Sequence, residues 1–76
     1  LLPAEPGPVH GQIWFLKGSA NELAGNWTEA EADLRRAVEQ APDNPLYLNY
    51  LGYSLLDRRQ KLPEARELIA RAYKAA

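Results

Sequence analysis

Apolar residues recur along this chain at spacings of three and four. In the last segment Ala65, Leu68, Ile69, Ala72 and Tyr73 fall at i, i+3, i+4, i+7 and i+8, the pattern of a helix with one apolar stripe. Pro63, suited to a first turn, opens that helix. The stretch PLYLNYLGYSLL, Pro45 to Leu56, spreads its leucines and tyrosines around the whole circumference of a second helix, which runs to about Arg58. Asn44 directly before Pro45 supplies the cap for its start. Upstream, Thr28 and Glu31 have the spacing of a capping box for a helix reaching about Gln40, with Glu31 to Arg35 an i, i+4 ion pair on its solvated face. A fourth helical stretch covers about Gly11 to Ala24 and stops at Gly25, which readily takes the left-handed conformation after a helix end. The pattern therefore predicts an all-α fold of four helices and three short turns. A proline-rich arm over residues 1–10 precedes it and holds the single histidine, His10, as a cap or solvent residue.

These helices are two copies of one unit. Pro8 and Pro42 are 34 residues apart, as are Trp14 and Leu48, and Gly18 and Gly52; Ala30, Leu34, Ala37 and Ala41 recur 35 later as Ala65, Ile69, Ala72 and Ala76. One residue is thus inserted between Gly52 and Ala65, where DRRQKLPE provides a polar turn. Gly18 and Gly52 sit mid-helix, where glycine costs about 1 kcal/mol relative to alanine, so the missing side chain must serve close approach of a neighbouring helix. Ala30, Ala37, Ala65 and Ala72 offer the small partner surface, with Trp14, Leu34, Leu48, Leu51, Leu55 and Ile69 filling the space beside them.

Trp14, Gly18, Gly25, Ala30, Leu34, Ala37 and Pro42 resemble the tetratricopeptide repeat pattern: an aromatic, a glycine four on, two alanines seven apart and a closing proline. The second copy keeps Leu48, Leu51, Gly52, Ala65, Ile69 and Ala72 but lacks the turn glycine. Lys17 and Asn21 depart from the usual leucine and aromatic. The resemblance implies two helix-turn-helix repeats of an α-solenoid, the first over residues 11–44 and the second over 45–76, ending before its closing proline. The stretch from Leu46 to Ala72 is similar to repeats in long bacterial multi-repeat proteins, and the chain reads as a piece of such an array. In this family the first helices of successive repeats line a concave groove for a peptide or a partner's helix. The resemblance puts Gln12, Phe15, Leu16, Ser19 and Glu22 there from the first repeat, and Leu46, Asn49, Tyr50, Tyr53 and Asp57 from the second. Tyrosine suits such a surface, offering a large contact area with little rotamer entropy to lose, and Asn49 can both donate to and accept from a peptide backbone.

Composition and charge narrow the chemistry further. A content of 46% apolar and 25% charged residues is that of a folded domain. With no cysteine there is no disulfide frame, thiolate metal site or cysteine nucleophile. His10 has no second histidine at metal spacing, so neither metal nor cofactor is expected. Ser54 in GYSLL lies inside a helix and lacks the second glycine of a nucleophile elbow, and the chain is read as non-catalytic. A net charge of −1 sets up no field for nucleic acid, and a pentatricopeptide-type RNA groove would need cations where this sequence offers Glu22 and Asp57. Arg58, Arg59 and Lys61 cluster at a helix C-terminus, where cations suit the dipole. No apolar run approaches the roughly 18 residues of a membrane span. The expected function is protein binding in the groove. The alternative is end-to-end self-assembly into a homo-oligomer, with Leu62, Leu68 and Tyr73 as the uncovered surface.

Overall fold

The computed structural model describes residues 8–76, so residues 1–7 of the expected arm lie outside the described residues. Four helices follow in order: α1 Pro8–Leu23, α2 Trp27–Gln40, α3 Pro45–Asp57 and α4 Leu62–Ala75. No strand occurs among the described residues. The chain divides into two compact units, one ending at Pro42 and the other beginning at Asp43. Each is a helical hairpin, α1 packed on α2 and α3 packed on α4.

A glycine sets the helix spacing in each hairpin. A Cβ built on Gly18 would stand 2.8 Å from the Leu34 side chain and 3.2 Å from the Leu34 backbone nitrogen. One built on Gly52 would stand 2.8 Å from Ile69 Cγ1 and 3.2 Å from the Ala65 carbonyl oxygen. Leu34 and Ile69 hold the same position in the two repeats, so the same contact is made twice. Ala30 and Ala37 are fully buried in the first unit, and Ala65 and Ala72 in the second. Leu34, Leu48, Leu51 and Leu55 are the largest fully enclosed side chains, each contributing roughly 1.5–3 kcal/mol of transfer free energy.

The turns inside the hairpins share one geometry built from different residues. After α1, the Asn26 amide donates to the Asn21 carbonyl (2.8 Å) and the Gly25 amide to the Glu22 carbonyl (3.0 Å), with Gly25 at φ +84°. This is the paired closure of a Schellman motif, which satisfies two orphan carbonyls of the helix end. After α3, the Gln60 amide donates to the Leu55 carbonyl (3.0 Å) and the Arg59 amide to the Leu56 carbonyl (2.9 Å). Arg59 therefore occupies the glycine's position, 34 residues on, and takes φ +55°. Asn26 both completes this closure and precedes α2, whereas after α3 Gln60 completes the closure and Lys61 precedes α4, so the extra residue lies at Gln60–Lys61, and Lys61 also turns left-handed at φ 48°.

Several sequence expectations are corrected here. Pro8 lies inside α1, because the first turn of a helix has no use for the amide that proline lacks. His10 is consequently helical and buried (7% exposed), and its Nε2 has no partner. Asn26, not Thr28, is the residue before α2, and its side chain makes no capping bond. Thr28 falls in the first turn, and Glu31 turns forward to Arg35 at 2.7 Å. By contrast, the Asn44 carbonyl oxygen accepts from the amides of Leu46 (2.9 Å) and Tyr47 (3.2 Å), as its place before Pro45 implied. Leu68 is buried, not uncovered, whereas Tyr73 is 75% exposed, since eight residues carry it about 80° away from Ala65.

Candidate functional site

On α3, Leu48, Leu51 and Leu55 turn inward and are fully buried. That leaves Leu46, Asn49, Tyr50, Tyr53 and Asp57, spaced i, i+3, i+4, i+7 and i+11, as a second stripe. Leu46 is 57% exposed and Tyr53 50%, Asn49 and Asp57 are exposed, and Tyr50 is half-buried. Leu56, 41% exposed, flanks the stripe and extends its apolar area beyond the residues that the sequence singled out. The surplus leucine and tyrosine of PLYLNYLGYSLL are therefore divided: Tyr47 is buried, while Leu46 and Tyr53 stand in solvent.

On α1, Gln12 and Leu16 are exposed, while Phe15, Ser19 and Glu22 are half-buried. The Ser19 hydroxyl donates to the Phe15 carbonyl at 2.9 Å, a bond back onto its own helix that engages its donor. The chemistry of this stripe is mixed, with a carboxylate at Glu22 and an apolar patch at Leu16, and it carries no lysine or arginine among the five residues. Among the described residues no group of three or more histidine, aspartate or glutamate side chains could hold a metal ion. No helix is long and apolar enough to cross a membrane.

A third constellation in the first unit was not recognised as one in the sequence. The Trp14 ring, expected in the core, is half-buried and carries two cations, Lys17 Nζ 4.9 Å and the Arg36 guanidinium 4.7 Å from its centroid. Arg36 also reaches Asp33 at 3.6 Å, and Asp33, only 5% exposed, accepts a 2.9 Å hydrogen bond from Asn21 Nδ2. The departures of Lys17 and Asn21 from the repeat pattern were the available signal, and Asp33 and Arg36 complete them from α2.

Comparison with known proteins accords with this architecture. The profile of the tetratricopeptide repeat family matches residues 3–45 and again residues 24–76. A TPR repeat-containing protein of Pseudomonas aeruginosa is 48% identical over 67 residues, covering 88% of this chain. The chain spans only 11% of that relative's length. No solved structure matches. With two overlapping matches to the repeat profile and a helical hairpin for each repeat, the chain belongs to the tetratricopeptide repeat family, a family of non-catalytic protein-interaction scaffolds.

Proposed function

We propose that the chain binds a peptide or helix of a partner protein through the first helix of each repeat, with Leu46, Asn49, Tyr50 and Tyr53 of α3 as the principal contacts and Phe15 and Leu16 of α1 as the supporting ones. The observation that carries this reading is the pair Leu46 and Tyr53, two large apolar side chains at least half exposed on one stripe of a helix whose opposite side is fully enclosed. The tyrosine ring supplies contact area, and Asn49 reads the partner's backbone. Asp57 on α3, like Glu22 on α1, makes its own helix's stripe unsuited to an acidic segment. Peptides selected on the intact chain from a random display library are the test. Their affinity should fall about five- to fifty-fold with Tyr53→Ala and with Leu46→Ala, the range of a moderate hot spot. Binders indifferent to both substitutions would place the interaction elsewhere.

Self-association is a second reading, supported by Tyr73 and Leu62, which are exposed and eleven residues apart, on one side of α4. Sedimentation of the chain against concentration tests it, with Tyr73→Ala expected to shift the equilibrium toward monomer.

A further inference from the structure

We infer that the exposed stripe of α3 takes a helix: an amphipathic segment of another protein laid lengthwise along it, with a polar residue against Asn49 and a lysine or arginine against Asp57. The inference rests on the binding reading above and names its occupant. It begins from spacing. Leu46, Asn49, Tyr53 and Leu56 follow one another at three, four and three residues, the a, d, a, d order of a coiled-coil seam. All four are exposed. At about 100° per residue they fall within an arc of about 80°, with Tyr50 and Asp57 on one flank. Leu48, Leu51 and Leu55 lie on the opposite side of the helix and are fully buried.

The pitch of the seam selects a helix over an extended strand. Along α3, Asn49, Tyr53 and Leu56 stand about 4.5, 10.5 and 15 Å beyond Leu46, an average step of about 5 Å. A second helix repeats its own a and d positions at that same step, so its side chains enter the spaces of the seam at every level. An extended segment presents the residues of one face every ~6.7 Å and drifts out of register within two or three contacts. The polar positions fix the rest. Asn49, in a seam otherwise of leucine and tyrosine, favours a hydrogen-bonding residue opposite it and disfavours an apolar one, which sets how far along α3 the partner slides. Asp57 is an exposed carboxylate with no ion pair among the described residues. It stands at the C-terminal end of α3, where the helix dipole also favours a cation, and Arg58 falls about 100° round from it, off the seam. The contact spans about three turns of a partner helix.

The test is a pair of peptide display libraries selected on the whole chain, each peptide about four helical turns long. The first has apolar residues at a and d with one seam position left random, and lysine or glutamate at the flanks; the second has the same composition with a proline at its centre. Affinities of the selected peptides, made synthetically, are read by fluorescence anisotropy. Binders should come from the first library and carry a polar residue at the random position and lysine at a flank. A central proline should weaken them about a hundredfold, the equivalent of the ~3 kcal/mol that proline costs inside a helix. Leu56→Ala should weaken them about fivefold or more. Asn49→Leu should reverse the preference for a polar residue, and Asp57→Lys should turn the preference for lysine into one for glutamate. All three positions are exposed, so these variants keep the fold, which circular dichroism checks. Binders that tolerate the central proline and Leu56→Ala, yet are weakened by Tyr53→Ala and Leu46→Ala, would overturn the helical occupant and leave the stripe a site for an extended peptide. So would an empty first library when random linear peptides bind. Helical binders indifferent to Asn49→Leu and Asp57→Lys would overturn the polar register. Binders indifferent to Tyr53→Ala and Leu46→Ala would overturn the binding reading itself.

Discussion

Replacing Arg59 with glycine is expected to stabilise the second unit, because a side chain now occupies a backbone conformation that the first repeat assigns to Gly25. Arg59 sits at φ +55°, and holding a residue with a Cβ in the left-handed region costs about 1–2 kcal/mol. Glycine returns about 0.5–1 kcal/mol of that as extra freedom in the unfolded chain. Removing a cation from the C-terminal end of α3 subtracts about 0.3 kcal/mol more. The net gain is about 0.5 kcal/mol, or roughly 2–4 °C in the melting temperature of a domain this size. Arg59→Ala loses the same charge but keeps the Cβ, so the gap between Arg59→Gly and Arg59→Ala isolates the backbone and should be about 1 kcal/mol in favour of glycine. Gly25→Ala is the reciprocal experiment. Gly25 lies at φ +84° with no atom within 4 Å of an added Cβ, so its expected loss of about 1 kcal/mol would come from the backbone alone. Urea titrations followed by circular dichroism resolve differences of this size. If Arg59→Gly proves no more stable than Arg59→Ala, the left-handed closure after α3 is wrong.

Gly18→Ala and Gly52→Ala should each destabilise the chain by about 1–3 kcal/mol in the same titrations, although alanine is the better helix former, because the new methyl would press on Leu34 and on Ile69 with the Ala65 carbonyl. Asn44→Ala should cost about 1 kcal/mol, since one oxygen caps two amides at the start of α3. Leu51→Ala and Leu55→Ala should lose about 2–5 kcal/mol, whereas Tyr53→Ala should stay within about 0.5 kcal/mol of the parent; equal losses in thermal melts would put the tyrosine in the core.

The glycine contacts were legible because a mid-helix glycine has few causes and both copies pointed to the same partner position. Asn44 and Pro45 were legible for a similar reason: cap and first-turn proline are adjacent and agree. Thr28 misled because Asn26 and Thr28 are both capping residues, and only the Schellman closure at Asn21 and Glu22 shows that the turn ends two residues earlier. His10 was hidden by the prolines around it, which suit a helix's first turn as well as an extended arm. On the candidate face, helical spacing separated Leu46, Tyr50 and Tyr53 from the inward leucines and left Tyr47 as the tyrosine best placed for the core, where it is buried. The Trp14 cluster lay beyond periodicity altogether, because it joins Lys17 and Asn21 to Asp33 and Arg36 on another helix.

The division into two units also sorts the chain's chromophores. Trp14 and Trp27, its two tryptophans, both precede Pro42, while all four tyrosines, Tyr47, Tyr50, Tyr53 and Tyr73, follow Asp43. Light absorbed at the red edge by indole alone therefore reports on one hairpin, and the tyrosine bands of the second-derivative spectrum, separated from those of indole, report on the other. A single unlabelled sample carries a separate optical signal for each repeat, and comparing the two unfolding curves reads directly whether the repeats melt as one cooperative body or in succession.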